Sequence, residues 1–272
     1  MRVLNHRTRL HVGRRPQTRC PRCQGRLRPW RALLSARPLR LAPIGRNCGK
    51  RRCLAPEPMA DHVRLLETEP RWWEAPMLRS RVTELHYITP IANLGSIVTH
   101  GVLSHNRAAR LPHASVASEE VQDRRAHRRV PRGLPLHDYA NLYFDARNAM
   151  MYIRKDGAVP LAVVRLHPDI LDLPGSVITD GNAASNNTLF LPSPSGLGRL
   201  DEERVYAQSW DDPDPWIKAD RKRARCAELL VPNGVEPQLI LGCYVDRWNR
   251  RAECLAQAPG LLVEVNAYVF FR

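Results

Sequence analysis

The charge of this chain is segregated. Of its 42 Lys and Arg and 27 Asp and Glu, sixteen bases and one acid, Glu57, fall in residues 1–60, which leaves 26 of each sign for the remainder. The net charge of +15 therefore belongs to the first sixty residues, and the body of the chain is neutral. An Arg- and Pro-rich stretch with little hydrophobic periodicity cannot bury enough surface to offset its chain entropy. A fold must be built from the neutral body. Residues 1–76 are expected to be a basic, disordered extension and residues 77–272 the folded domain. Met59 and Met77 both precede the first convincing strand, so the extension reads as dispensable to that domain.

Cys20-Pro-Arg-Cys23, inside the extension, has the spacing of a zinc ligand pair. Cys48 and Cys53 have four residues between them, and twenty-four residues separate Cys23 from Cys48, outside the usual ribbon pattern. A zinc-dependent nucleic-acid-binding protein is the weaker reading. No run of about eighteen apolar residues suggests a membrane helix. The basic start, residues 1–9, has no apolar stretch behind it, so it does not read as a secretory signal. Seven cysteines without such a signal fit reduced thiols in the cytoplasm.

From residue 84 the pattern becomes regular. Residues 85–89 read as a strand; Thr89-Pro90 then supplies an N-cap and a first-turn proline for a helix over 91–100, with Gly101 as its stop. Ser118 starts a second helix, expected to reach 129, with acids in its first turn and arginines in its last. Short strands are expected at 142–144, 161–166, 177–179, 227–231, 239–245 and 261–271. Short helices are expected at 147–153 and 247–256. Between 180 and 220 lies a Pro-, Gly- and Asp-rich stretch, broken by one helical piece near 200–210, and loops of such length are usually functional or disordered. These elements make an α+β domain with a mixed, mostly antiparallel sheet.

No Gly-rich phosphate loop, Gly-x-Ser-x-Gly elbow or His-Glu-x-x-His is present. Three separated clusters remain. His86-Tyr87-Ile88-Thr89, leading into Asn93, Ser96 and Ser104, puts hydroxyls where a strand meets a helix N-terminus, a place that suits an anion or simply caps the helix. In residues 123–129, helical spacing aligns Arg124 with Arg128 and Arg125 with Arg129, so one pair can face a phosphate-bearing ligand or both can be solvated. In residues 221–231 four bases precede Glu228. Strand alternation puts Ala227, Leu229 and Val231 on one face, Glu228 and Leu230 on the other. A carboxylate in an apolar strand costs free energy unless it has a partner or a role, and a surface-facing Glu is the competing reading.

Taken in order, these clusters resemble the DarT family of DNA ADP-ribosyltransferase toxins. The stretches that carry the resemblance begin with Tyr87-Ile88-Thr89-Pro90-Ile91-Ala92-Asn93-Leu94, Gly101-Val102-Leu103-Ser104-His105 and Gln122-Asp123-Arg124-Arg125. They continue through Leu136-His137-Asp138-Tyr139, Leu142-Tyr143-Phe144 and Arg147-Asn148-Ala149-Met150-Met151-Tyr152. Thr179-Asp180-Gly181-Asn182-Ala183-Ala184 and residues 222–230 complete the set.

The resemblance implies an ADP-ribosyltransferase-like split antiparallel β core with flanking helices, a long substrate loop and NAD⁺ as substrate in a central cleft. It implies that Tyr87, Ile88, Thr89, Ser96 and Ser104 line that cleft. Arg125 would hold the NAD⁺ phosphates and assist deprotonation of the target base, and Glu228 would be the catalytic glutamate. Residues 180–228 would form the substrate loop, with Arg221, Lys222, Arg223 and Arg225, helped by Trp210 and Trp216, suited to single-stranded DNA. The expected activity is transfer of ADP-ribose to a DNA base, with thymidine favoured, by a metal-independent toxin whose partner is a macrodomain antitoxin. A protein, RNA or guanine target is the alternative. The family commonly has His immediately before the Ile-Thr pair, where this chain has Tyr87. His86 is one place earlier, and a one-residue shift on a strand reverses the face, so His86 is not expected to inherit that role.

Overall fold

A computed structural model describes residues 76–271. The zinc reading at Cys20, Cys23, Cys48 and Cys53 falls outside them. In chain order the elements are β1 (Leu85–Pro90), α1 (Leu94–His100), β2 (Val102–Leu103), α2 (His105–Ala108), α3 (Glu119–Ala126), β3 (Tyr139–Tyr143), α4 (Ala149–Arg154) and β4 (Leu161–Leu166). They continue with β5 (Val177–Thr179), β6 (Phe190–Pro192), α5 (Glu202–Val205), α6 (Pro215–Ala224), β7 (Glu228–Pro232), β8 (Gly234–Val235), β9 (Ile240–Val245), α7 (Trp248–Gln257) and β10 (Val263–Val265).

Eight strands form one sheet in the order β10-β9-β4-β1-β3-β7-β5-β6, antiparallel throughout except where β10 lies parallel to β9. The hydrogen bonding is uneven. β1 pairs with β4 along six residues and β3 with β7 along five, yet β1 meets β3 only at His86 and Tyr143. The sheet is therefore two halves joined at one point, and beyond that point the backbones of β1 and β3 are free to part.

Both faces of the central strands are covered. On β4, Ala162, Val164 and Leu166 enter the large core with Leu85, Leu94, Leu142, Leu229 and Val231, while Leu161 and Val163 pack with Ile88, Tyr143, Met151 and Phe270. Each fully buried aliphatic side chain of this kind is worth about 1.5–3 kcal/mol, so period-two alternation fixes which residue meets which layer.

Several boundaries differ from expectation, for local reasons. Pro90 stays in β1, and Ile91–Asn93 form a 3₁₀ turn before α1 begins. Gly101 ends α1 with φ 80°, where a Cβ would stand 1.9 Å from the Val235 carbonyl oxygen, so only glycine fits against β8. The second helix stops at Ala126, three residues early. His127 Nδ1 bonds back to the Asp123 carbonyl at 2.8 Å, and the Val130-Pro131 step disfavours helix shortly beyond. The expected strand over 261–271 is only β10; Ala267–Phe270 is a 3₁₀ turn. The long 180–220 stretch holds β6 and most of α6. That helix is signalled by Asp214, which accepts from the Trp216 and Ile217 amides, by Pro215 at its start and by bases in its last turn.

Candidate active site

Where the two half-sheets part, the structure opens a cleft of about 590 Å³, within the range of small-molecule sites. One wall is β1, with Tyr87, Ile88 and Thr89; the other is β3 and β7, with Tyr139, Asn141, Tyr143 and Glu228. α3 supplies Arg125, α4 supplies Met150 and Arg154, and α6 supplies Lys222.

Glu228 opens β7 between Thr179 on β5 and Tyr143 on β3. Its alternation partners Ala227, Leu229 and Val231 enter the large core, while Leu230 packs on the cleft side with Leu136, Tyr139 and Ala183. The carboxylate is 1% exposed, which removes the surface reading. It has partners. Glu228 Oε2 accepts from Arg125 Nη1 at 3.0 Å, and Oε1 accepts from the Ala183 amide at 3.3 Å. Its own amide donates to Thr179 Oγ1 at 3.1 Å, and that hydroxyl donates to the Gly181 carbonyl at 2.7 Å. Paired and hydrogen-bonded, the carboxylate is tolerated where an isolated charge would not be.

Arg125 is the only buried residue of α3. Arg128 and Arg129 lie past the end of the helix and turn elsewhere, toward Asn186 and the Gly133 carbonyl. The expected arginine pairs therefore do not form, because Arg128 and Arg129 fall outside the helix; of α3, Arg124 lines the cleft from an exposed position and Arg125 is the arginine buried in it.

Two stacked imidazoles flank Arg125. His105 and His137 lie with ring centroids 4.1 Å apart and planes at 27°. Burial, then His113 and Arg125, lowers the His105 pKa; burial, then His105 and Arg125, lowers that of His137. Burial, with Glu228 next, raises the Tyr143 hydroxyl well above the tyrosine range, so this phenol stays a proton-bearing group. Cys226, also in the wall, is pushed by burial to about 11 and is inert as a nucleophile.

The remaining predicted residues divide. Tyr87, Ile88 and Thr89 reach the cleft together. The Thr89 hydroxyl accepts from Asn93 Nδ2 at 3.1 Å, and Asn93 also pairs with both backbone groups of Ala114, which holds the 113–118 wall in place. His86 does not reach the cleft: Nε2 faces Glu84 at 2.9 Å and Nδ1 accepts from the Ala146 amide at 3.2 Å. Ser96 and Ser104 are not lining residues. Ser104 is 1% exposed and starts α2, with its neighbours Leu103 and His105 facing the cleft instead.

The basic run is also sorted by the fold. Lys222 faces the cleft and, among the described residues, makes no ion pair. Arg221 pairs with Asp212 at 2.9 Å, and Arg223 with Asp180 and Asp220 at 3.0 Å each. Arg225 is 1% exposed and binds Asp145 Oδ2 at 2.7 Å and the Val205 carbonyl at 2.8 Å. A guanidinium so enclosed cannot meet a DNA backbone, so Arg225 is a structural residue. Thr179, Ala183, Tyr143 and His105 lie in the stretches that carry the family resemblance but show no individual signal for a role, and His113 lies outside them. Tyr143, Thr179 and the Ala183 amide come beside Glu228 only through strand order, and His105 and His113 join the cleft lining. Among the described residues no group of three or more His, Cys, Asp or Glu is placed to hold a metal, and no helix is long and apolar enough to cross a membrane.

Residues 86–267 match the family model described as ssDNA thymidine ADP-ribosyltransferase, DarT. The chain belongs to the DarT family. It is 36% identical over 176 residues to the DNA ADP-ribosyl transferase–DNA ADP-ribosyl glycohydrolase fusion protein of Thermosipho africanus, covering 61% of this chain but 43% of that protein. The chain thus spans less than half of this relative's length. Among solved structures, Thermus sp. 2.9 DarT in complex with ADP-ribosylated ssDNA superposes with TM-score 0.59 and 27% identity, over 70% of this chain and 96% of the other. The same Thermus protein in complex with NAD⁺ gives TM-score 0.55 and 25% identity, over 70% and 98%. The mixed α and β architecture with its large, mostly antiparallel sheet is the DarT fold.

Proposed function

We propose that this DarT-family chain transfers ADP-ribose from NAD⁺ to a thymidine base in single-stranded DNA. The observation that carries this reading is the buried Arg125–Glu228 pair, at 3.0 Å, in the cleft where β1 and β3 part. The Thermus relative, solved in complex with NAD⁺ and with ADP-ribosylated ssDNA, supports the two substrates. We assign the activity to residues 77–272 and treat 1–76 as an extension. The protein acts in the cytoplasm as the toxin of a toxin–antitoxin pair with a macrodomain antitoxin. The glycohydrolase fused to the Thermosipho relative supports that partner.

The chemistry follows from the geometry. As the bond between ribose C1′ and nicotinamide breaks, positive charge develops on the sugar. Glu228, held by Arg125 and the Ala183 amide, stabilises that charge and orients a ribose hydroxyl without reorganising. The bond that forms joins C1′ to a base nitrogen, nicotinamide leaves, and the base N–H proton is lost, assisted by Arg125. Tyr87, Ile88 and Thr89 line the ribose and nicotinamide side. Arg125 contacts the phosphates, and His105, whose pKa burial lowers, lines the same cleft as a ring able to donate. Tyr87 stands where the family has His and can both donate and stack. The base must be unstacked to reach C1′, which single-stranded DNA permits. Lys222 is one cation of the cleft wall available to its backbone.

The test incubates the full chain and Glu228→Gln with NAD⁺ and short thymidine-containing oligonucleotides, then measures adducts by mass spectrometry. Glu228→Gln keeps an acceptor for Arg125 and loses on the order of 10²–10³ in rate. An adduct on protein, RNA or guanine alone refutes the thymidine assignment, and full activity in Glu228→Gln refutes the role of the carboxylate.

A further inference from the structure

Between α5 and α6 the chain runs from Tyr206 to Asp214 without regular structure. The hydrogen bonds this stretch makes with itself are short-range: the Asp211 amide to Ser209 Oγ at 3.0 Å and the Asp214 amide to Asp212 Oδ1 at 2.9 Å. Asp211 and Asp212 pair with Lys218 and Arg221, which ties the stretch to α6 but not to the sheet. At its start Tyr206 packs against the large core; beyond that, its attachment to the rest of the domain is an aromatic cluster. Trp210 meets Tyr152 of α4 at 5.5 Å and 89°, and Phe271 at 5.7 Å and 64°; Tyr152 and Phe271 close the triangle at 5.3 Å and 84°. Edge-to-face contacts of this geometry are favourable and fix orientation. Beside them the Tyr268 hydroxyl donates to Gln208 Oε1.

A cation completes the arrangement. The Arg147 guanidinium lies 3.9 Å from the Phe271 ring centroid and 4.4 Å from that of Tyr268, and it donates to the Tyr268 carbonyl. The Arg147 carbonyl accepts from the buried Arg225, three residues ahead of Glu228. Phe271 adopts φ 56°, a left-handed conformation that a bulky side chain takes only when its surroundings impose it. Tyr152 and Tyr268 remain 43% and 50% exposed. The cluster therefore lies at the surface rather than in the core. It joins three things: the α4 helix, whose other side lines the cleft, the loop leading to Lys222, and the segment leading to Glu228.

We propose that the turn at 267–271 is a clasp that holds the 206–214 loop at the rim of the cleft, and that Phe271, Arg147 and Trp210 are positioning residues for the DNA strand. This rests on the function proposed above. None of the three touches the reacting atoms; they act by setting where the loop and Lys222 stand when the strand enters. Single-strand sites depend on such placement of stacking and cationic groups.

The experiment compares the full chain with Phe271→Ala, Phe271→Tyr and Trp210→Ala. It measures KM for a thymidine oligonucleotide, KM for NAD⁺, kcat, and the rate of chymotryptic cleavage after Tyr206. For Phe271→Ala and Trp210→Ala the oligonucleotide KM rises about tenfold, as expected for the loss of paired aromatic contacts. NAD⁺ KM stays within about twofold, loop cleavage accelerates, and Phe271→Tyr restores both. Unchanged oligonucleotide KM with unchanged cleavage overturns the clasp. So does a parallel loss of kcat and both KM values with unfolding, because the turn then supports the fold as a whole. Should the parent chain modify no oligonucleotide, the proposed function fails separately. The cleavage rates still decide the clasp: faster cleavage in Phe271→Ala supports it and equal rates reject it.

Discussion

Arg225 and Glu228 show what burial does to one side chain. Each stands beside residues of opposite meaning in sequence, a run of bases on one side and an apolar strand on the other. Both are 1% exposed. Arg225 is enclosed by Asp145 and two backbone carbonyls, so removing it leaves a carboxylate without its partner. Arg225→Ala is expected to lower unfolding free energy by about 3–5 kcal/mol, the cost of breaking a buried pair, as read by urea denaturation. A DNA-contacting arginine would instead leave stability unchanged and weaken only oligonucleotide binding. Glu228 stands out because its charge conflicts with its strand, and that conflict is visible at the level of residues. The burial of Arg225 is not. Nothing in Arg221-Lys222-Arg223-Ala224-Arg225 distinguishes the one arginine that turns inward, because that depends on where α6 ends relative to the segment at Asp145.

Among elements, the clearest consequence of packing is the contact between α2 and the 3₁₀ turn Leu136–Asp138, which stacks His105 on His137. Both pKa values are lowered from 6.5 in the folded protein, while the unfolded chain titrates near 6.5. The unfolded state therefore takes up protons first, and stability falls as pH drops below about 6.5, levelling only once the folded imidazoles are also protonated. His137→Phe, which keeps a ring in the stack, should flatten that slope in denaturation measured from about pH 7 to 5. An unaltered slope would assign it to other groups. The elements themselves are partly legible. β4 and β5 have the predicted limits because their short apolar runs are stopped by Pro160 and His167-Pro168 around β4 and by Gly175-Ser176 and Asp180 around β5. α3 stops short because the His127 ring bonds backward and proline follows. α6 reads as loop in the sequence, although its Asp-Pro start and basic last turn carry the helix signal; the Pro, Gly and Asp of the preceding residues outweigh it.

At the largest scale, the eight-stranded sheet of the described residues is two halves meeting at one residue pair, apart from the small β2-β8 sheet, and the first half is tied internally. In the β10-β9-β4-β1 half, Glu84 lies under Arg165 of β4, His86 of β1 and Tyr244 of β9, and Arg165 also pairs with Glu264 of β10. Burial alone would raise the Glu84 pKa, but the hydrogen bonds from His86, Arg165 and Tyr244 outweigh it and lower it from 4.5 to about 2. A lowered carboxylate pKa stabilises the fold above the unfolded value and loses that contribution as pH falls from 4.5 through about 2. Glu84→Gln is expected to be less stable at neutral pH and to lose less on acidification, as measured by thermal unfolding across that range. Equal acid sensitivity in parent and variant would place the effect elsewhere.

The linear order of residues is enough to reveal a neutral body behind a strongly basic first sixty residues, the α+β class, the candidates Glu228 and Arg125, and the DarT resemblance. These are properties of composition, of alternation with a period of two, and of residues in a fixed succession along one chain. Packing in three dimensions settles the rest: which arginine faces the carboxylate, why Ser96 and Ser104 stay out of the cleft, and which of four bases near residue 223 is left for a ligand. Those outcomes depend on strand order and on where β1 and β3 part. Residues as distant as Arg125, Ala183 and Glu228 become neighbours only through pairings that local sequence does not encode.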